Sequence, residues 1–366
     1  MLLYLHIPFC HRVCPYCSFY KHTPGATPIP RFIDALLAEA RHRVPEASDR
    51  IRTLYFGGGT PSMLSPSHLR RLFEGLGEII DLDALEEVTL EANPATFDTA
   101  KAVLFRELGV RRVSLGIQSF APHVLGTLGR EHDPDQAAES VRILREAAMP
   151  SVNVDLMFSV PGLSLEDWRS TLETAIALEP DHLSAYNLTY EEDTAFLELL
   201  KKGDLDTDED RDAEQFHLAH DLLTSVGFDH YETSNYARPG HHSLHNRGYW
   251  RGDDYLGLGP SAVSTLPTTG FAALRTTNVA DTDRYVRMIE SLGHAAVEQE
   301  ALSEPQLRIE RIALLLRTSE GIPLDWVTDG DRERFVDAGF AAVSEDRLVL
   351  TRKGAALVDP IAAELA

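Results

Sequence analysis

YLHIPFCHRVCPYC, residues 4–17, contains all three cysteines of this 366-residue chain, at positions 10, 14 and 17. A cubane iron–sulfur cluster is normally held by four thiolates, one on each iron, because soft thiolate ligands suit iron and sulfide. Three thiolates on one short loop hold three irons and leave the fourth open to a small chelating molecule. The stretch therefore indicates a [4Fe–4S] site with Cys10, Cys14 and Cys17 as its ligands.

Two other interpretations of the cysteines are weaker. A disulfide framework is disfavoured because the number of cysteines is odd. A zinc site could draw a fourth ligand from His6, His11 or His22, but zinc ligands usually come as two pairs from separate places in the chain. The first residues also lack the basic start and apolar run of a secretory signal, so we expect reduced thiols and a cytoplasmic protein.

The composition indicates an ordinary globular chain with an acidic surface. There are 34 Lys and Arg against 57 Asp and Glu, which gives a formal net charge of −23. This balance disfavours nucleic acid and anionic lipid as electrostatic partners. No apolar stretch approaches the roughly 20 residues of a membrane span. The length suffices for one large domain and a smaller one.

Apolar, β-rich runs alternate with helical patterns through the first half of the chain. This alternation predicts parallel strands joined by right-handed crossovers. Six units are too few for the usual eight-stranded closure, so the predicted fold class is α/β, an open partial (β/α)6 barrel. The predicted strands are Leu2–Ile7, Thr53–Phe56, Glu87–Leu90, Arg112–Ile117, Val152–Phe158 and His182–Thr189.

Polar or glycine-rich features follow these strands where each one ends. Because the carboxyl ends of parallel strands meet at one rim, we expect the features to lie together there. The cysteine loop follows the first strand. The next three strands are followed or ended by the strings GGGTPS (57–62), EANP (91–94) and QSF (118–120). The fifth strand contains Asp155 and is followed by SVPG (159–162).

The alternation stops near residue 200, and we divide the chain into three parts. Residues 1–230 form the barrel, with a last helix predicted over Asp210–Gly227. Residues 231–300 form an extension, irregular from Tyr231 to Pro267, that carries the string HNRGYW. Residues 301–366 predict a small α+β module of winged-helix type with a hairpin over Ala341–Leu350. The acidic balance favours a packing or docking role for this module over DNA binding.

Several strings resemble the radical S-adenosylmethionine superfamily, and the three-cysteine spacing is specific for it. Within the superfamily the chain resembles the coproporphyrinogen dehydrogenase-like group, and there its haem-chaperone branch. The likeness runs over nearly the whole chain. Besides residues 4–17 and the glycine triplet, it rests on EANP (91–94), SLGIQSF (114–120), LGR (128–130), NVDLM (153–157), YETSNY (231–236) and HNRGYW (245–250).

The resemblance implies that the three cysteines ligate the cluster and that S-adenosylmethionine chelates the open iron. Glycines let a ligand approach the backbone closely, an arginine suits the methionine carboxylate, and carboxylates suit the ribose hydroxyls or the ammonium. A structural role in packing or at the surface is the alternative for each of them. The residues that match cofactor-contacting positions are Tyr4, Tyr16, Gly58, Gly59, Thr60, Glu91, Gln118, Arg130 and Asp155.

The string HNRGYW supplies a candidate haem ligand, His245, beside the aromatic residues Tyr249 and Trp250. Haem iron takes an axial imidazole, and apolar aromatic surfaces hold the porphyrin. His241 and His242 are alternative ligands in the preceding loop. We assign no catalytic residue.

The chain departs from the patterns of its relatives at four features, of which the first two favour the chaperone over the dehydrogenase. The dehydrogenase has a further cysteine where this chain has Phe19, and an extension before its first strand. Val263 stands where related chains end a glycine-rich run with histidine, which puts a haem contact at that position in doubt. Ser159 replaces a customary glycine and is expected to narrow the site.

We therefore expect a haem chaperone that binds haem, a [4Fe–4S] cluster and S-adenosylmethionine, and delivers haem to a respiratory or other haem protein. The alternative is an oxygen-independent coproporphyrinogen III dehydrogenase. A methyltransferase of the same superfamily is a third possibility, although no extra domain or extra cysteine supports it. The sequence leaves open whether S-adenosylmethionine is cleaved and how many copies of the chain associate.

Overall fold

Parallel strands form the centre of the protein. The computed structural model describes residues 1–45, 51–205 and 207–365. Within them, six strands pair in parallel in the order of the sequence, as predicted for a partial barrel. The α/β class is confirmed. The strands are β1 (Leu2–Ile7), β2 (Thr53–Gly58), β3 (Glu87–Ala92), β4 (Arg112–Gln118), β5 (Ser151–Phe158) and β6 (His182–Asn187).

Helices connect the strands, and two of them begin at a serine N-cap. Ser65 accepts a hydrogen bond from the His68 N–H, and Ser164 accepts one from the Asp167 N–H. No helix in the described ranges is both long and apolar enough to cross a membrane. The helices are α1 (Ile29–Arg43), α2 (Pro66–Gly77), α3 (Thr99–Glu107), α4 (Pro122–Thr127), α5 (Pro134–Glu146), α6 (Leu165–Ala177), α7 (Ala195–Lys202) and α8 (Glu209–Ser225).

The main core lies between the sheet and these helices. Leu3, Leu5 and Ile7 of β1 are buried, and so are Phe32 and Leu36 on the apolar stripe of α1. Each such side chain contributes about 1.5–3 kcal/mol when it is removed from water. Burial on both faces explains why the parallel strands read as nearly continuous apolar runs.

The stretch predicted to be irregular, Tyr231–Pro267, is more regular than its sequence indicates. It contributes strands on both sides of the six central ones. The whole sheet has twelve strands in the described residues. These strands have three or four residues, too few to show a periodic pattern. Around this stretch lie β7 (Asp229–Glu232), β8 (Asn235–Ala237), α9 (Leu244–Arg251), β9 (Tyr255–Leu258), β10 (Val263–Leu266), β11 (Ala273–Asn278), α10 (Thr282–Leu292) and β12 (Ala296–Leu302).

Strand β9 fixes the position of the extension, because it pairs in parallel with β1 on the side away from β2. The strands β10, β11 and β12 continue antiparallel from β9. Beyond β6, β8 and β7 add two antiparallel strands at the other end of the sheet. The sheet thus runs from the barrel into the extension, while the boundary at residue 230 stays a prediction.

The last part of the chain has its own small core, which includes Ile322, Phe335 and Leu348. Its helix–strand–helix–hairpin order fits the predicted winged-helix type, and the hairpin over Ala341–Leu350 is present. Ion pairs from Glu320 to Arg247 and Arg251 join it to α9. Its elements are α11 (Glu304–Leu315), β13 (Ile322–Pro323), α12 (Asp329–Asp337), β14 (Ala341–Ser344), β15 (Arg347–Leu350), α13 (Arg352–Ala355) and α14 (Val358–Leu365).

Candidate functional site

A cavity of about 400 Å³ opens where the parallel strands end. Nearly all the predicted site residues line it, because the strands deliver their carboxyl ends to one rim. Tyr4 and His245 are not among the lining residues. Those that line the cavity are Cys10, Cys14, Cys17, Tyr16, Gly58, Gly59, Thr60, Glu91, Gln118, Arg130 and Asp155.

Two backbone hydrogen bonds tie the two ends of the cysteine loop to each other, just after β1. The Cys10 N–H donates to the His22 carbonyl, and the His22 N–H donates to the Pro8 carbonyl, each at 2.9 Å. All three cysteines are unpaired and half-buried. Burial raises the pKa of the Cys10 and Cys17 thiols, and bound iron would displace such protons.

Three soft sulfur ligands on one wall of a cavity suit an iron–sulfur cluster. Hydrogen-bond donors approach the sulfurs. The Thr60 hydroxyl donates to Cys10 Sγ and Arg130 Nη1 donates to Cys14 Sγ, each at 3.6 Å. Such donors stabilise thiolates, so the surroundings of the cysteines fit the ligand role.

The histidines on which a zinc site depends are mostly engaged elsewhere. His6 Nδ1 lies 3.0 Å from the Tyr4 hydroxyl, and His6 Nε2 lies 2.7 Å from the Tyr20 carbonyl. His22 Nδ1 is 2.7 Å from the Thr23 carbonyl and its Nε2 is 2.8 Å from a threonine hydroxyl. Only His11, paired with a glutamate through Nδ1, keeps its second ring nitrogen without a partner in the described residues.

The glycine turn after β2 lies directly against β1. Gly58 has φ of 108°, and a Cβ there would come within 2.5 Å of the His6 ring. A Cβ on Gly59 would lie 2.7 Å from the Phe9 carbonyl oxygen and 2.8 Å from that of Ile7. Real Cβ atoms do not approach so closely, so only glycine brings this backbone to the cavity wall.

Two half-buried carboxylates, Glu91 and Asp155, share the cavity wall. Glu91 accepts hydrogen bonds from the Tyr55 hydroxyl at 2.9 Å and from the Gly58 N–H at 3.1 Å. Burial raises its pKa to about 7; those two hydrogen bonds oppose the rise and the charge of Asp155 adds to it. Burial also raises the pKa of Asp155, against hydrogen bonds from neighbouring side chains. Two neighbouring carboxyl groups whose pKa values are both raised mark a place that suits a cation.

Arg130 lies between the cysteine loop and the ends of β3 and β4. Its Nη2 donates to Asn93 Oδ1 at 2.6 Å and to the Gly116 carbonyl at 2.5 Å. Its Nε is buried and has no hydrogen-bond partner within the described residues. A buried guanidinium N–H without an acceptor is costly, so this atom fits a ligand that supplies one, such as a carboxylate.

Gln118 ends β4 with φ of 70°, in the left-handed region that residues other than glycine seldom adopt. The strained backbone coincides with a shift in the pairing of β4 with β5, and Gln118 lines the cavity. Ser159 also has a positive φ, of 60°, which accounts for glycine being customary there. Ser159 is buried and does not line the cavity, so the expected narrowing is not seen.

The structure adds site residues that sequence reasoning missed. Tyr55 and Asn93 line the cavity, and each holds a predicted residue, Glu91 and Arg130 respectively. Asn93 belongs to the EANP string and could have been found there. Tyr55 could not, because a tyrosine inside a strand is ordinary β-sheet composition.

Tyr4 lies behind the cavity wall. Its ring stacks on Tyr55 with centroids 6.1 Å apart, and its hydroxyl pairs with His6. A direct contact between Tyr4 and the cofactor therefore stays a prediction.

His245 is buried near the start of α9, with only 1% of its surface exposed. Its Nδ1 lies 2.8 Å from the Thr53 hydroxyl, and its ring stacks on Tyr55 with centroids 4.9 Å apart. Burial lowers its pKa to about 3, so the ring is neutral. Its Nε2 is buried and lacks a partner among the residues that the structure describes. Nε2 is thus available as a metal ligand, but its burial keeps a haem iron from reaching it in this arrangement.

The alternative haem ligands lie nearer the surface. His241 Nδ1 is 3.3 Å from the Ser151 hydroxyl. The His242 ring stacks on Tyr231 with centroids 4.3 Å apart. Val263 begins β10 and pairs with Thr277, so its position is in the sheet beyond β9.

We predict that Glu91→Gln changes stability and ligand affinity in opposite directions at pH 8. Folded Glu91 keeps its proton up to about pH 7, against an ordinary pKa of 4.5. The unfolded chain loses this proton at lower pH than the folded protein, so the free energy of unfolding falls as pH rises from about 4.5 to 7. Above pH 7 the loss is complete. The full shift corresponds to roughly 3 kcal/mol, and solvent screening of the half-buried carboxylate reduces it. Neutral glutamine should therefore stabilise the ligand-free protein at pH 8 by about 1–2 kcal/mol, and weaken S-adenosylmethionine binding.

Thermal unfolding of both proteins at pH 4 and pH 8, with calorimetry of the ligand at pH 8, measures these effects. Glutamine can still accept from the Gly58 N–H and donate to the Tyr55 oxygen, so the packing is preserved. An equal stability difference at both pH values would contradict the assigned pKa.

Comparison with known proteins identifies the superfamily. The family model for the radical SAM superfamily matches residues 4–175. The coproporphyrinogen III oxidase HemN from Escherichia coli, a radical SAM enzyme, has the same fold. The TM-score is 0.82 at 24% identity, over 100% of this chain and 89% of that one. The fold and the matching family model are those of a radical SAM protein.

Curated relatives define the family more closely. The chain is 35% identical to the haem chaperone HemW of Mycobacterium tuberculosis over 98% of its own length and 93% of that protein. It is 34% identical to HemW of Lactococcus lactis (87% and 82%) and 39% identical to HemW of Escherichia coli (75% and 72%). The chain belongs to the HemW family of the radical SAM superfamily.

Proposed function

We propose that this protein is a haem chaperone that carries a [4Fe–4S] cluster with S-adenosylmethionine and delivers haem to a haem-accepting protein. The observation that carries the proposal is the similarity to haem chaperones over almost the whole chain, including the HNRGYW string. We place its action in the cytoplasm, where unpaired thiols stay reduced. A respiratory or other haem protein is the proposed acceptor, and no nucleic acid takes part.

The cavity supports the cofactor half of the proposal. Cys10, Cys14 and Cys17 would hold the cluster, while the glycine turn and Arg130 would hold the methionine end of S-adenosylmethionine. Glu91 and Asp155 would face its cationic or ribose groups. When bound, the cluster supplies one-electron chemistry at its open iron. Within this site the protein's own residues bind, orient and balance charge.

The haem half of the proposal rests on His245 and the aromatic residues around it. Tyr249 packs edge-on against His245 with centroids 5.0 Å apart, and Tyr255 packs against Tyr249 at the same distance. A neutral imidazole with a vacant Nε2 is the form that ligates haem iron. Because that atom is buried, ligation requires the His245 ring to leave its place on Tyr55.

The dehydrogenase remains the second candidate, because a complete three-cysteine site serves it equally well. Phe19 weighs against it. This side chain is 68% exposed and lies at the cavity, at the position of the additional cysteine of the dehydrogenases. The likeness to HemN concerns the fold.

Titration of haem into the anaerobically reconstituted protein, followed by the Soret band, tests the proposal. We expect saturable binding that His245→Ala weakens about tenfold or more, since the axial ligand is lost. His245→Asn serves as a second variant that keeps a polar partner for Thr53. His294→Ala, at an exposed histidine, is the control for unspecific imidazole binding.

The remaining outcomes discriminate between the candidates. Weakening by His241→Ala or His242→Ala in place of His245→Ala would keep the chaperone and move its ligand. Transfer of bound haem to a haem-free globin would support delivery. No saturable binding would contradict the chaperone, and decarboxylation of coproporphyrinogen III would then identify the dehydrogenase.

A further inference from the structure

Tyr55 lies between the cofactor cavity and His245. Its hydroxyl bonds a carboxylate of the cavity, and its ring packs on His245. Its hydroxyl donates to Glu91 Oε1 at 2.9 Å, and its ring stacks on the His245 imidazole at 4.9 Å with an angle of 28° between the planes. The Tyr55 ring also stacks on Tyr4, with centroids 6.1 Å apart. One side chain on β2 thus orients the carboxylate of one site and holds the histidine of the other.

The proposed ligation of haem gives His245 a second arrangement, besides the observed one, and the two differ in their consequences for Tyr55. In this structure the imidazole is buried on Tyr55, with Nδ1 against the Thr53 hydroxyl and Nε2 without a partner within the described ranges. An imidazole that ligates haem iron through Nε2 has to leave this stack. Tyr55 then loses one of the two rings that hold it, and its hydroxyl holds Glu91 less firmly.

We propose that Tyr55 couples the cofactor cavity to His245, so that S-adenosylmethionine and haem each weaken the binding of the other. This inference rests on the proposed function. S-adenosylmethionine favours the state in which Tyr55 fixes Glu91, which is the state with His245 buried. Haem favours the state with His245 released. Coupling of binding free energies is reciprocal, so both affinities change by the same factor.

A second connection joins the other cavity carboxylate to the start of α9. Asn153 Nδ2 donates to Asp155 Oδ1 at 2.7 Å, and Asn153 Oδ1 lies 2.6 Å from His182 Nδ1. His182 Nε2 is 2.7 Å from the Tyr231 hydroxyl, which accepts from the backbone N–H of Ser243, the N-cap of α9, at 3.2 Å. The helix that carries His245 is thus held from both carboxylates of the cavity.

Reciprocal titrations of the cluster-loaded wild-type protein test the coupling without any substitution. The haem dissociation constant is measured from the Soret band with and without saturating S-adenosylmethionine. The S-adenosylmethionine constant is measured by calorimetry with and without haem. We expect each ligand to weaken the other by at least about fivefold, the lower end of usual coupling.

Tyr55→Phe then locates the coupling, because it removes the hydroxyl and keeps the stacked ring. In this variant we expect most of the effect of S-adenosylmethionine on haem affinity to be lost. Tyr285→Phe is the matched control, since it removes a buried hydroxyl that donates to Glu39, a buried carboxylate outside the cavity. It should keep the full fivefold effect.

The outcomes separate this inference from the function on which it rests. Saturable haem binding of equal strength with and without S-adenosylmethionine would overturn the coupling and leave the chaperone intact. Mutual strengthening would overturn it as well. A fivefold effect that survives in Tyr55→Phe would overturn the role of Tyr55. Failure of the wild type to bind haem under either condition would overturn the proposed function together with the inference.

Discussion

Cys14→Ala is expected to abolish assembly of the [4Fe–4S] cluster. The chain has three cysteines, all on one loop at the cavity, so no other thiol can replace the lost ligand. Two thiolates leave two irons of the cubane without protein ligands, and the cluster is not retained. Iron and sulfide content and the visible absorption after anaerobic reconstitution measure the effect.

The fold should survive this substitution, because Cys14 is half-buried on a surface loop and contributes nothing to the main core. Val13→Ala is the control, since Val13 is the neighbouring residue, 44% exposed and without a sulfur. It should reconstitute like the wild type. A Cys14→Ala protein with full iron and sulfide content would remove Cys14 from the ligand set.

The rim of the barrel could be predicted from the sequence because its physics is local and repetitive. Each predicted central strand overlaps an observed one, since strands buried on both faces leave continuous apolar runs. Once the strands are parallel, their ends must share an edge, which brings Glu91, Gln118 and Asp155 to the cysteine loop. The positive φ of Gln118 could not be predicted, because the pattern of apolar residues carries no information about it.

The extension could not be predicted because its placement depends on contacts between distant residues. Strand β9 has four residues and pairs with β1, about 250 positions earlier in the chain. Such a strand is too short for periodicity to reveal it. The same pairing edge brings α9 over β2 and buries His245 on Tyr55. The sequence string around His245 does not show that the side chain is buried, because the burial depends on the packing of α9 against β2.

Arg130→Ala is expected to weaken S-adenosylmethionine binding by about 1.5–3 kcal/mol, the contribution of a hydrogen bond to a charged group. This corresponds to about 10- to 150-fold in the dissociation constant. The physical reason is the buried Nε, which has no acceptor in the described part of the chain and belongs to a side chain that lines the cavity. Calorimetry on cluster-loaded protein measures the change.

Two comparisons distinguish loss of a ligand contact from loss of local structure. Arg130 Nη2 also holds Asn93 and the Gly116 carbonyl, so Asn93→Ala reports how much affinity depends on that clamp. Asn93→Ala should weaken S-adenosylmethionine binding less than Arg130→Ala does, because the guanidinium group remains. Arg130→Lys keeps the charge but not the planar donors and should bind at an intermediate strength. Equal affinity in wild type and Arg130→Ala, at equal iron content, would exclude Arg130 from the cofactor site.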